Sequence, residues 1–354
     1  MNGNDQSISE FKTFKSNDYS FVFNRKNGNF VRFGKNLNDD PDFSPIGPEI
    51  ADIEISTICH GINDKPCSWC YKSNTAVGEN MSFQSFKEIF DKLPKTLTQI
   101  AFGIGDLSGN LDLWKIMEYC RENDVIPNIT INGWKLNDKL ANKLKKLCGA
   151  VAISHYNNDN ICFGSVQKLT KIGMKQINIH KLLSNETYDS CFKLIDKTTI
   201  DERLKKLNAI VFLMLKPKGK RNILTQLKSI ELYKNLIEYA FKRNVRIGFD
   251  SCSAHMFLES VKDNENYNIY KTFAEPCEST CFSIYINTQG NVFPCSFCEG
   301  EKDWENGIDL KQYNSMLEVW NSEKLLNWRN KLLANGRKCP MFDLNSSSTT
   351  ILIE

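Results

Sequence analysis

From residue 50 onward, short apolar runs recur along the chain, at 50–58, 98–103, 126–131, 150–154, 176–180, 209–215 and 245–249. Between most of them the apolar residues return every three or four positions. The stretch 82–93 places Phe83, Phe86, Ile89, Phe90 and Leu93 on one helical face, 111–123 and 134–147 behave alike, and 223–243 is the longest. Strands alternating with helices imply parallel βαβ units joined by right-handed crossovers. Six or seven such units predict an α/β fold with a full or partial barrel. A doubly wound dinucleotide fold would show a Gly-rich turn after its first strand, and a cysteine cluster stands there instead.

The rhythm is absent outside residues 50–255. Two aromatic and β-branched runs within 20–34 flank Asn27-Gly28, a pair that favours a hairpin turn, so a β-ribbon is expected. The proline-rich stretch 38–48 reads as a linker. Residues 256–276 read as polar and irregular, 282–293 as β with a turn at 288–291, 316–333 as one helical pattern, and the last fifteen residues as loop. Three segments follow: an N-terminal extension (1–49), a barrel (50–255) and a C-terminal region (256–354).

Composition narrows the function classes. The hydrophobic fraction is 41% and the charged fraction 25%, ordinary for a globular chain of 354 residues. The net charge of +3, from 45 basic and 42 acidic residues, excludes a strongly basic nucleic-acid binder and an acidic disordered tail. One local basic run remains. The stretch 205–221, read as helical although it overlaps the sixth apolar run, ends in Lys216, Lys218, Lys220 and Arg221, with Lys206 upstream. It could contact phosphates, so a nucleic-acid partner stays open. The polar start shows no secretory pattern and no apolar run is long enough for a membrane span, so a cytoplasmic setting is expected. There the thirteen cysteines are thiols, metal ligands or catalytic groups rather than disulfides.

Their spacing separates them. Cys59, Cys67 and Cys70 follow the first apolar run, at the strand end where βα loops build active sites. Three thiolates can hold a [4Fe–4S] cluster and leave one iron open. A structural zinc site with His60 as fourth ligand is the other reading. The second run ends in Gly103-Ile104-Gly105-Asp106, where glycines admit a ligand close to the backbone and a carboxylate offers acceptors to an ammonium group. The third ends in Ile129-Thr130-Ile131-Asn132-Gly133. Ser154, His180 and Lys216 also stand at or just past strand ends. Five more cysteines lie late in the chain, at 277, 281, 295, 298 and 339, and Cys252 ends the last barrel run. Cys120, Cys148, Cys162 and Cys191 fall in the periodic segments and read as small core residues.

The Cys67-x2-Cys70-Tyr71 segment, the GIGD and ITING strand ends and the Cys277-x12-Gly290-x4-Cys295 spacing together resemble the radical S-adenosylmethionine (SAM) superfamily with a SPASM/twitch-like extension. The seven residues between Cys59 and Cys67 depart from the usual three, and Asp106 stands where a Glu is usual. The resemblance implies a partial (β/α)6 TIM-like barrel with an N-terminal β-ribbon and a small α+β cluster-binding extension at 256–354. It implies that Cys59, Cys67 and Cys70 hold a SAM-binding [4Fe–4S] cluster. Tyr71, Gly103, Ile104, Gly105, Asp106, Thr130, Asn132, Ser154 and His180 would line the cofactor pocket. An auxiliary [4Fe–4S] cluster would take Cys277, Cys295, Cys339 and a fourth ligand, Cys252 in preference to Cys281 or Cys298. Reductive cleavage of SAM would then give a 5′-deoxyadenosyl radical that removes a substrate hydrogen. The expected substrate is a peptide or protein, the alternative a nucleotide, nucleic acid or small metabolite, and the electron donor a flavodoxin or ferredoxin. A non-enzymatic zinc protein is the reading from another class.

Overall fold

The structure, a computed structural model, describes residues 9–342. Strands β1 (Phe11–Lys15), β2 (Ser20–Asn24) and β3 (Phe30–Phe33) form an antiparallel sheet. The expected hairpin is β2–β3, turning through Gly28 at φ 79°, and β1 adds a third strand. Seven parallel strands follow: β4 (Ile50–Glu54), β5 (Gln99–Gly103), β6 (Ile126–Ile131), β7 (Val151–Ser154), β8 (Ile177–Leu183), β9 (Ala209–Met214) and β10 (Ile247–Phe249). Six helices connect them: α1 (Phe83–Phe90), α2 (Leu113–Glu122), α3 (Asp138–Leu147), α4 (Asp159–Lys171), α5 (Tyr188–Ile200) and α6 (Ile230–Lys242). Each strand pairs with the next in chain order, as in a (β/α)6 barrel. Among the described residues the ring does not close, and β10 is an edge.

The C-terminal region builds on this same sheet. Beyond α7 (Ala254–Ser260) and α8 (Tyr267–Phe273), β11 (Ser283–Ile286) pairs parallel with β4, Tyr285 opposite Asp52. Strands β12 (Asn291–Phe293) and β13 (Ile308–Asp309) continue it antiparallel, followed by α9 (Met316–Trp320) and α10 (Glu323–Ala334).

Several sequence expectations change. Residues 256–276 are not irregular throughout, because α7 buries Met256 and Phe257 and α8 stacks Tyr270 on Phe241. The stretch 205–221 is β9 and a loop, not a helix. The pattern at 316–333 is two helices, broken at Asn321 and Ser322. The run 50–58 ends as a strand at Glu54. Helix starts are later than periodicity indicates, because capping sets them: Asn137 accepts from Leu140 N and Ser229 from Leu232 N. Such a cap contributes about 1 kcal/mol. Residues 38–48 lack strand and helix, as expected, yet Ser44 N donates to the Cys281 carbonyl and its own carbonyl accepts from the buried Trp320 indole. Of the expected C-terminal loop, 343–354 lies outside the described residues.

Strand alternation separates the two faces of the barrel sheet. Ala51, Ile53, Ile100, Phe102, Ile129, Ile131, Val151, Ile153, Ile179, Ile210 and Phe212 are buried beneath the helices. The opposite set, which faces the lumen, contains Asp52, Ala101, Asn128, Thr130, Asn178, His180 and Val211, all half-buried. A filled barrel would carry Val, Ile and Leu on that face. Polar and small residues there make a lumen that can admit a ligand. Buried Cys120, Cys148, Cys162 and Cys191 pack in the helical layer, as expected. Among the described residues no helix is long and apolar enough to cross a membrane.

The β-ribbon docks where β5 and β6 begin, away from the cysteine loop. Lys12 Nζ donates to the Leu97 and Asp124 carbonyls at 2.8 and 2.9 Å, and Arg25 grips the Asp124 carboxylate with two bonds.

Candidate active site and second cysteine group

The chain leaves β4 directly into the first cysteine loop. The seven residues between Cys59 and Cys67 fold back on themselves. Asn63 and Asp64 have φ of 54° and 57°, and Lys65 N donates to the Ile62 carbonyl at 3.1 Å, a type I′ turn. Asn and Asp tolerate this left-handed backbone better than most residues. The turn takes up the extra length, so Cys59, Cys67 and Cys70 come within electrostatic range of one another. Burial raises the pKa of Cys59 and moves that of Cys67 to about 11, and in both the neighbouring thiols add to the rise.

Both flanks hold this loop. Asp106 accepts from His60 N at 2.9 Å, contacts His60 Nδ1 at 3.1 Å and accepts from Ser108 N at 2.9 Å. Burial alone would raise its pKa, but the bonds from Ser108 and His60 outweigh that and lower it. The side chain expected to face a ligand is therefore engaged with the cysteine loop. His60, the possible zinc ligand, is turned to Asp106. Gly105 lies against Cys59 so closely that a Cβ would stand 2.7 Å from the Ile58 carbonyl oxygen. Gly103 lies less tightly on Glu54, where a Cβ would meet Cα at 3.2 Å. Ile104 packs at the edge of the core.

On the other side Arg221 donates to the carbonyls of Ser73 and Asn74 at 3.2 and 2.8 Å and reaches that of Cys67 at 3.4 Å. Lys218 pairs with Glu301 at 3.1 Å, and Lys216 is buried in an ion pair with Asp250. The basic run thus spends three of its charges inside the molecule rather than offering them to phosphates. The Tyr71 ring lies tilted against that of Phe297. A cavity of about 330 Å³ lies beside it, lined by Thr57, Tyr71, Lys72, Asn74, Lys218 and Glu299.

The remaining expected pocket residues stand at the lumen mouth. Thr130 Oγ1 and His180 Nδ1 are 3.4 Å apart, and Asn132 Nδ2 reaches the Gly61 carbonyl at 3.5 Å. Ser154 ends β7 beside His180 in register. Burial lowers the His180 pKa to about 4, so the ring is neutral at ordinary pH. Glu54 pairs with Lys72 at 3.1 Å and accepts from Tyr285 at 2.9 Å. Asp52, unlike Glu54, has no hydrogen-bond or ion-pair partner among the described residues, and burial raises its pKa to about 6.

Sequence reasoning passed over Asp52, although the signal was present: in Ile50-Ala51-Asp52-Ile53-Glu54 the acids alternate with apolar residues, so both face the lumen. A raised folded-state pKa means that ionisation opposes folding. The contribution is present below the unfolded value of 3.8 and is lost as pH rises through about 6. Asp52→Asn should therefore stabilise the fold near neutral pH by about 1–3 kcal/mol and leave it unchanged near pH 3. Denaturant midpoints at the two pH values check this, and an equal effect at both refutes it.

The second group forms around Cys252, Cys277, Cys295 and Cys339. Each lies within electrostatic range of others in the group; burial raises the pKa values of Cys252, Cys277 and Cys339, and the contact with Cys298, then burial, raises that of Cys295. Cys252 follows β10, Cys277 precedes β11 and Cys295 follows β12, so the group stands where barrel and C-terminal region meet. Of the alternatives for a fourth ligand, Cys281 shares a buried core with Cys277, Tyr19, Phe21, Phe23 and Leu332, whereas Cys252, Cys295 and Cys339 pack against the main core. Cys298 has its sulfur 3.6 Å from that of Cys295. Among the described residues no three His, Cys, Asp or Glu side chains are placed to hold a single metal ion. A tetrahedral zinc site brings its ligands to about 2.0–2.3 Å of one ion, whereas thiols around a four-iron cube stand farther apart. Three thiols in the first group and four in the second have the donor chemistry that iron–sulfur clusters take.

Residues 277–341 match the SPASM family, an iron–sulfur cluster-binding domain. No curated protein matches the chain. Among solved structures, SuiB of Streptococcus suis superposes with TM-score 0.66 at 14% identity, covering 91% of this chain and 90% of its own. SuiB bound to its precursor peptide SuiA gives 0.65 at 13% identity, with 89% and 90% covered. Native anSMEcpe with bound AdoMet and the Cp18Cys peptide gives 0.56 at 16% identity, with 79% and 82% covered. The chain thus has the fold of SuiB and anSMEcpe, and its C-terminal residues 277–341 match the SPASM iron–sulfur cluster-binding domain.

Proposed function

We propose that this protein is a radical SAM enzyme that modifies a peptide or protein segment. The observation that carries the reading is the gathering of Cys59, Cys67 and Cys70, with no fourth cysteine or free histidine beside them among the described residues. That donor set suits a [4Fe–4S] cluster with one open iron. Cys252, Cys277, Cys295 and Cys339 would hold the auxiliary cluster. When bound and reduced, the first cluster supplies a coordination position for the amino and carboxylate groups of SAM and the electron that cleaves its sulfonium to a 5′-deoxyadenosyl radical.

The chain's own residues do the rest. Asp106, His60 and Arg221 fix the cysteine loop, and Gly105 lets it lie flat on the barrel. Thr130, Asn132, Ser154 and neutral His180 line the mouth and offer hydrogen bonds without charge. Asp52 leaves one unpaired carboxylate in the lumen, suited to a cationic or hydrogen-bond-donating group. The C-terminal region covers the seam and keeps water from the reacting atoms. A peptide is the favoured substrate because SuiB and anSMEcpe, which share this fold, have been solved with peptides bound. The electron donor is of the flavodoxin or ferredoxin class.

Anaerobically reconstituted protein should be brown, hold about eight irons per chain and release 5′-deoxyadenosine from SAM under reduction. Colourless protein with stoichiometric zinc refutes the reading. For the substrate, deuterium should pass into 5′-deoxyadenosine from a deuterated peptide pool. Transfer from deuterated nucleotides instead assigns the other substrate class.

A further inference from the structure

Tyr71 directly follows Cys70, and its ring lies against Phe297 with centroids 4.4 Å apart and planes inclined by 32°. The Tyr71 hydroxyl donates to Ser296 Oγ at 3.2 Å. Ser296 and Phe297 are the two residues between Cys295 and Cys298. The two cysteine groups are thus joined by side chains that are covalent neighbours of cysteines on both sides. Phe297 also lies beside residues that lead to Cys252 and Cys339. Lys216 Nζ lies 5.0 Å from its centroid and pairs with Asp250, two residues before Cys252. The Phe342 ring lies 6.2 Å away, and Phe342 N donates to Cys339 Sγ at 3.4 Å.

Holding the clusters does not require this contact. Thiolates suffice for that, and the first loop already has Asp106 and Arg221. Two aromatic rings whose centroids lie 4.4 Å apart instead offer a short through-contact route for an electron between the two segments. We propose that the Tyr71–Phe297 pair is the path by which one electron passes between the group held at Cys59, Cys67 and Cys70 and the group held at Cys252, Cys277, Cys295 and Cys339. This rests on the two-cluster reading above. In the step one group is oxidised and the other reduced by a single electron. No bond forms or breaks and no proton moves. The electron enters from a low-potential one-electron reductant of the flavodoxin class.

The test compares the wild type with Phe297→Leu, Tyr71→Leu and Phe297→Tyr. Each anaerobic protein receives less than one electron per chain from photoreduced deazaflavin. Freeze-quenched electron paramagnetic resonance then follows the redistribution between the two cluster signals. Wild type and loaded variants should hold about eight irons. Redistribution should slow by about tenfold in the leucine variants, equivalent to about 1.4 kcal/mol of barrier, and recover in Phe297→Tyr. Wild-type rates in a loaded leucine variant overturn the proposal. So does a rate that stays slow in Phe297→Tyr, since the ring is then not what matters. If one leucine variant loses iron, the other decides. Loss of auxiliary iron in both makes the contact a structural joint and overturns the path. A wild type with only about four irons refutes the two-cluster reading itself, and the iron count reveals that before any kinetics.

Discussion

Cys67→Ala is expected to remove about four of about eight irons and to reduce 5′-deoxyadenosine formation to background. Cys67 sits between its two partners in the loop, and two thiolates cannot fix a cube whose fourth iron must stay open. The second cysteine group is built by other segments, so its iron and its paramagnetic signal should persist. Cys281→Ala is the contrast. That thiol packs in the core between the β-ribbon and α10, so the variant should keep all its iron and lose about 1–2 kcal/mol of stability through the small cavity left behind. Iron and acid-labile sulfide assays, with chromatographic detection of 5′-deoxyadenosine, check both. Persistent SAM cleavage in Cys67→Ala would mean that another residue is the ligand.

The second large effect is expected at Gly105. A Cβ there would stand 2.7 Å from the Ile58 carbonyl oxygen and 2.8 Å from Cys59 Cα, and closer still to Cys59 Cβ. These are backbone atoms, and a Cβ fixed to them, and they cannot turn aside as the tip of a long side chain could. Gly105→Ala should displace Cys59 and cost about 1–3 kcal/mol by overpacking. The iron of the first group should fall selectively while that of the second remains. At Gly164, inside α4, an added methyl would meet nothing within 4 Å, so Gly164→Ala should be harmless or stabilising by about 0.5–1 kcal/mol. Equal iron retention in the two variants would show that the loop does not need the close approach.

Much of this architecture was legible along the chain. The strand and helix periods placed the barrel units, because each is set by residues a few positions apart. Boundaries were less legible: α3 and α6 begin at caps, Asn137 and Ser229, rather than where the apolar period begins. Helices α7 and α8 were missed because little in the polar stretch 256–276 repeats at helical spacing. In the site, the cysteine triad was visible as spacing, and the wide gap before Cys67 was visible as a departure. How that gap closes was decided by Asn63 and Asp64 accepting a left-handed turn.

Asp106 and the basic run changed meaning for a related reason. A carboxylate after a strand and a cluster of lysines look available when only their neighbours in sequence are known. In the folded chain Asp106 is taken by His60 and Ser108, Lys216 by Asp250, and Arg221 by the carbonyls of the cysteine loop. Most of those partners lie far away in sequence, and their geometry depends on the barrel having formed.

By itself, then, the sequence determined the alternation of strands and helices, the position of three cysteines at the first strand exit and the cysteine-rich end, since short-range period and spacing encode each of them. Only the tertiary structure decided that Cys252, already favoured along the chain, comes within electrostatic range of Cys277, Cys295 and Cys339, that Asp52 stands unpaired in the lumen, and that Tyr71 meets Phe297. These depend on segments far apart in the chain or on separate strands, and they exist only once β11 has paired beside β4.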